Sequence, residues 1–441
     1  MREFKIKRYD RERIQKRKQG MRAAAFTVLL GVAALTAGWF AYPPVYQFVT
    51  TWEPPSLQPS VPDSPGVSEP EPPSSQPEEP EEEPVGAGIF PARTAYLPPE
   101  VMMDDQMLEE ELLALQAQGI DGVVFDLKDA LGVVQYQSAL EQVSYNRAQG
   151  ENAWSLPQRL NLIRRAGLTP VGRLYAFRDR TSTARMYESA VKYMNSTVNW
   201  IDDSQANGGK PWLNPNNQEA QDYILSLVQE AAQNGVGTIL LDGVQFPDGV
   251  ALNLATYGNT GSLDRSAVLA GFLAKARTVG EAEGSHVAVT VNLLSATGLS
   301  ANRYGEDVGQ LLSAAGSGVV EVMPEQFGNV VTSETLTLSS PALDPYKTVS
   351  QGLAAAAKAL ETPAEGEDEE EEEEEERERT LRVPLAAMVQ AYTSTTLSQS
   401  ANKPYGLQEV RDQVRAAEEA GIGAVLYMNP LGDYSALEEQ P

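Results

Sequence analysis

Asp242 stands directly behind the apolar run Ile239-Leu-Leu241, a place where a carboxylate is costly unless something uses it. A carboxylate so placed can give a proton, take one, or attack carbon. The chain has few other groups for such work. It has no cysteine, which excludes a thiolate nucleophile, a thiolate metal site and a disulfide framework. Its single histidine, His286, excludes multi-histidine zinc sites, and a Ser-His-Asp triad would have to use that one residue. Acid/base chemistry therefore falls to carboxylates.

Other polar residues end similar apolar runs. Asp126, Lys128 and Asp129 follow Gly122-Val-Val-Phe125, and Arg173 and Tyr175 close Thr169–Tyr175. Gln245 lies just past Asp242, Asn292 ends His286–Asn292, and Glu321 and Glu325 accompany Gly318–Met323. Gln390 and Tyr392 end Val383–Tyr392, and Tyr427 ends Ala424–Tyr427. Carboxylates, amides, one lysine, one arginine and several tyrosines suit a polyhydroxylated ligand, which needs bidentate hydrogen bonds and aromatic faces. Two facing carboxylates would serve as acid and as nucleophile or base, with Asp242 and a glutamate of the sixth run, Glu321 or Glu325, as the pair. Asp242 could instead pair with a neighbouring cation at a rim, and D-x-K-D at 126–129 could brace its own loop. A hard-cation site from Asp126, Asp129 and Asp242 is a further alternative. No cofactor is implied.

Positioning these residues requires parallel strands. The eight runs are apolar throughout rather than alternating, as expected for strands buried on both faces, and most are followed by a helical pattern. Helices are expected near Asp104–Gln118, closed by Gly119, and near 157–166, 217–233, 264–281, 306–314 and 407–420. Eight such units over about 350 residues predict an α/β fold of the (β/α)8 TIM-barrel type, with working residues at the C-terminal strand ends. An open doubly wound sheet is the alternative, but no Gly-x-Gly-x-x-Gly turn follows the first strand.

The net charge of −27 is unevenly spread. Residues 1–22 hold ten Lys/Arg against three Asp/Glu, a balance of +7 that leaves −34 for the remainder. Residues 23–42 then run without a charge, long enough to cross a ~30 Å hydrocarbon core as a helix. The basic side should stay in the cytoplasm, which predicts a single-pass membrane protein with residues 43–441 outside the cell membrane. A cleaved signal peptide is the rival reading. Because the positive charge abuts the apolar span, it argues for topology and not for nucleic acid. Pro, Glu and Ser dominate residues 53–88, so 43–88 reads as an extended, disordered linker with a reach on the order of 100 Å. The glutamate run within 361–379 reads as a solvated insertion in an 89–441 barrel domain.

Residues 93–437 resemble the glycoside hydrolase domain family of bacterial surface proteins, a (β/α)8 group. The resemblance rests on G-V-V-F-D-L-K-D-A-L-G at 122–132, which is similar to D-x-K-D-x-x-G, and on W-L-N-P at 212–215 before a helix. It rests also on L-D-G-V-Q-F-P at 241–247, V-Q-A-Y at 389–392 and the helix over 409–421. It implies an extracellular glycan or polysaccharide as partner, hydrolysed at O-glycosyl bonds. This chain departs where the family has D-Y-V-R-F-P: Gly243 and Gln245 replace the aromatic and the arginine. Asn292 stands where an aspartate is common, and Met323-Pro-Glu325 replaces Met followed by Tyr-Pro. Such losses can abolish hydrolysis and leave a binding cleft, so a catalytically degenerate barrel that binds glycan or a partner protein is the alternative.

Overall fold

The computed structural model describes residues 89–437, apart from 259–262, 298–304, 306, 333–335 and 362–382. The basic tail, the 23–42 span, the 43–88 linker and nearly all of the acidic insertion lie outside the described residues. Among the described residues, no helix is long and apolar enough to cross a membrane.

Eight parallel strands form the centre: β1 (Arg93–Leu97), β2 (Gly122–Lys128), β3 (Thr169–Tyr175), β4 (Thr238–Asp242), β5 (His286–Asn292), β6 (Gly318–Glu321), β7 (Leu385–Gln390) and β8 (Ala424–Met428). Each pairs with its successor, and β1 pairs with both β2 and β8, so the sheet closes on itself. Closure rules out the open-sheet alternative.

Among the described residues, a main helix follows each of the first seven strands, beside shorter ones: α1 (Asp105–Ala117), α2 (Leu156–Arg165), α3 (Gln218–Gln233), α4 (Arg265–Ala282), α5 (Val308–Ala315), α6 (Pro345–Glu361) and α7 (Leu407–Glu419). Their starts are written in the sequence. Asp104, Asn217, Asp264 and Asp307 each accept a hydrogen bond from the backbone N–H three residues on, satisfying a donor the helix leaves unpaired. Gly119, at φ 78°, takes the left-handed conformation that ends the first helical stretch. The six expected helices are present, and α6 is an additional one between β6 and β7.

Two apolar layers result. The larger lies between strands and helices and takes residues such as Val123, Phe125, Ile239, Leu241 and Val425. The smaller fills the barrel interior with Tyr96, Val124, Val171, Leu240, Ala288, Val319, Met388 and Leu426. Because strand side chains alternate, the interior set fixes which later residues also point inward. Counting on by two reaches Asp126, Arg173, Tyr175, Asp242, Asn292, Glu321 and Gln390. Tyr427 has the opposite parity and packs in the outer layer with Tyr434.

Candidate active site

The inward residues at the C-terminal strand ends make two groups. The first spans β1–β4 and centres on Arg173. Its Nε donates to Asp126 Oδ1 at 2.6 Å and one terminal nitrogen donates to Oδ2 at 3.2 Å, the planar fork matching the carboxylate. Tyr96 donates to Asp126 Oδ2 at 3.0 Å. The guanidinium lies 4.7 Å from the Tyr96 ring centre and 5.1 Å from that of Tyr175, with its other terminal nitrogen 3.8 Å from Asp242 Oδ2. Burial opposes the Arg173 charge, but Asp126, Tyr175 and Asp242 outweigh it and hold its pKa well above the usual value.

Asp242 responds in the other direction. Burial raises its pKa and Asp126 adds to the rise, while Arg173, the Gly243 N–H and Tyr175 pull it back. The net effect is a carboxyl whose pKa is raised above the ordinary aspartate value. Burial also raises the Tyr175 phenol, helped by Asp242, Asp126 and Glu321. Tyr175 therefore lies within electrostatic reach of an acid on β4 and an acid on β6.

The second group spans β5–β7 and is built from amides. Gln326 donates to Glu321 Oε2 at 3.0 Å and accepts from Asn292 Nδ2 at 2.8 Å. Asn292 Oδ1 caps the short helix Leu293–Ala296 by accepting from the Leu294 N–H. Glu325 receives the Tyr392 hydroxyl on Oε1, and its backbone N–H donates to Gln390 Oε1 at 3.0 Å. One step below Asn292, Thr290 carries a buried hydroxyl with no hydrogen-bond partner among the described residues.

The structure sorts the residues singled out from sequence. Asp242, Tyr175, Asn292, Glu321, Glu325 and Tyr392 ring the mouth and retain some exposure, apart from the nearly buried Asp242. Gln245 is half-buried beyond Asp242. Four others are buried and engaged with partners inside the protein. Lys128 is fully buried, paired with Asp179 at 3.1 Å and donating to the Tyr175 and Ala176 carbonyls. Gln390 is equally buried, its amide spent on Glu325 N–H and the Tyr392 carbonyl. Asp126 and Arg173 satisfy one another. Asp129 braces its loop, accepting from the N–H groups of Leu131 and Val133 and from Gln135. Tyr427 faces the helices and is corrected to a core residue.

The three aspartates weighed as a cation site do not converge, since Asp126 holds Arg173 and Asp129 faces its own turn. Among the described residues, no group of three acidic or histidine side chains is placed to hold a metal. Sequence reasoning missed Tyr96 and Gln326. Tyr96 could have been found from its parity with Thr94 on β1. Gln326 lies in a 3-10 turn, Pro324–Phe327, that no periodicity announces.

A closed barrel with a carboxylate-rich C-terminal mouth is the architecture of many glycan-cleaving enzymes. Residues 94–434 match the family described as "Putative glycosyl hydrolase domain", and the chain belongs to that family. No curated protein sequence matches it. Among solved structures, the PgaB (BpsB) glycoside hydrolase domain from Bordetella bronchiseptica is similar in fold, with a TM-score of 0.53 at 12% identity over 79% of this chain and 99% of that one. A hypothetical protein from Ruminiclostridium thermocellum is 26% identical over 44% of this chain and 96% of its own, with a TM-score of 0.39. The glycoside hydrolase domain of PelA from Pseudomonas aeruginosa is 13% identical over 78% and 97%, with a TM-score of 0.38.

Proposed function

We propose that this protein is a membrane-anchored, extracytoplasmic glycoside hydrolase that cleaves a cell-wall or surface glycan with Asp242 as general acid and Glu321 as its partner carboxylate. The observation that supports the reading is placement: Asp242 and Glu321 both point inward at the C-terminal ends of β4 and β6, and burial raises the Asp242 carboxyl above its ordinary range. Asp242 would protonate the leaving glycosidic oxygen. Glu321 would attack the anomeric carbon or take a proton from the attacking water, so that the glycoside and one water become two free hydroxyl-bearing sugars. Glu325, tied to Tyr392, would support substrate rather than act on the bond being cleaved. The family itself is described as a glycosyl hydrolase domain, and the fold-similar PgaB structure is named a glycoside hydrolase domain, which favours a glycan as partner here. The anchor rests on residues 23–42 and their basic flank, with 43–88 as the spacer.

The reading is tested by incubating the full chain with purified wall and surface polysaccharides. New reducing ends should appear, and proton NMR of the first product should show one anomer, assigning retention or inversion. Absence of new reducing ends from every polymer would sink it. Asn292 favours a second reading, binding without turnover: β5 ends in an amide, which cannot serve as nucleophile or ionised base, and it is committed to Gln326 and a helix cap. Retention of a polymer without release would select that reading.

A further inference from the structure

W-L-N-P at 212–215 takes no part in the mouth, yet it shapes a second polar cavity on the same face of the barrel. After β3 the chain makes a long excursion whose return runs beside its start, with the Leu213 N–H donating to the Phe177 carbonyl at 3.0 Å. After β4 a second excursion reaches Tyr257, whose carbonyl accepts from Asn216 Nδ2 at 3.0 Å. Between the two loops lies a cavity of about 340 Å³, lined by Lys192, Asn214, Asn216, Asn217, Thr256 and Tyr257 among others. Its volume falls at the small end of ligand pockets, room for about one sugar ring.

The carboxamides of this cavity are half used. Asn214 is 8% exposed; its Oδ1 accepts from the Asn216 N–H, and its Nδ2 has no acceptor among the described residues. That nitrogen is not shut off from solvent, so it is open to a ligand or water in the cavity. Asn216 spends Nδ2 on Tyr257, and its Oδ1 accepts from no described residue. Asn217 caps α3 through Oδ1, and its Nδ2 likewise donates to no described residue. Tyr257 is fixed by its ring, packed edge-on against Phe246 at 4.9 Å and covered by Arg265 at 5.1 Å. Its hydroxyl has no hydrogen-bond partner among the described residues. Two donors, one acceptor and a phenol on a fixed frame match a ring whose hydroxyls both give and accept hydrogen bonds.

We infer that this cavity is a second sugar-binding subsite, which takes an uncharged, hydroxyl-rich pyranose unit of the glycan whose cleavage at Asp242 is proposed above. Both loops leave the C-terminal ends of β3 and β4, the strands that carry Tyr175 and Asp242, so one polymer can follow them from the mouth to the cavity. The inference rests on that reading for the ligand's chemistry, while the site itself stands on its own residues.

The test uses the full chain in detergent and ligand-observed saturation-transfer NMR with glucose, galactose, N-acetylglucosamine, cellotriose and chitotriose as probes. At least one probe should bind. Asn214→Ala and Tyr257→Phe should each weaken that binding at least fivefold, and Tyr257→Phe should do so without changing the melting temperature, because the ring packing is kept. Binding by none of the probes, or equal binding by wild type and both cavity variants, overturns the subsite. The hydrolytic reading fails by a different sign, the absence of reducing-end release by the wild type from every polymer.

Discussion

The two halves of the barrel mouth hold their carboxylates by different means. On β2–β4, Asp126 is fixed by a buried guanidinium at 2.6 Å, and the same arginine reaches Asp242 only at 3.8 Å. On β5–β7, Glu321 and Glu325 are held by an amide and a phenol. One arginine cannot satisfy two buried carboxylates equally. It neutralises Asp126, and Asp242 is left with burial as its dominant influence. The difference is one of environment: Asp126 and Arg173 satisfy each other, Asp242 is dominated by burial, and Glu321 and Glu325 are held by uncharged partners.

The most severe way to break this comparison is to remove the amide-held acid. Glu321→Gln should lower reducing-end release by about 100- to 10,000-fold, whereas Glu325→Gln should cost about tenfold or less. Initial rates on a polymer that the wild type cleaves would check both. Next comes the arginine. Arg173→Met leaves Asp126 charged, buried and without its cation, and should destabilise the fold by about 3–5 kcal/mol in urea unfolding. Adding Asp126→Asn should recover part of that loss, since the two variants share one interaction.

The pH dependence sharpens the contrast further. Asp242 has a folded pKa raised above its ordinary value, so its contribution to stability is full below the unfolded aspartate pKa and is lost as pH rises through the folded one. The wild type should therefore lose stability relative to Asp242→Asn as pH increases across that window. The alkaline limb of kcat/KM should fall in the same window. The smallest effect belongs to Tyr427→Phe, which should leave turnover within about twofold, because that side chain faces the helices.

The barrel was legible because its strands are buried on both faces and read as uninterrupted apolar runs, with Asp and Asn caps marking the helices between them. Helix α6 was not, since four successive alanines at 354–357 give hydropathy no period to follow. Within the site, residue type pointed to the right strand ends but not to the facing side. A shift of one residue reverses the face, and only closure of the barrel shows that Glu321 points inward and Tyr427 outward. Partners distant in the chain were also out of reach. Lys128 reads as an available cation until Asp179, 51 residues on, is found against it. Asp126 reads as a free acid until Tyr96 and Arg173 are found around it.

The central claim is that Asp242 turns over a glycan rather than holding one. The most direct measurement compares wild type and Asp242→Asn for both retention of a polysaccharide and release of reducing ends. Release by the wild type that the variant loses by about 100-fold or more, with retention preserved, is the predicted result. Equal release by both, or retention by both with no release from either, would contradict it.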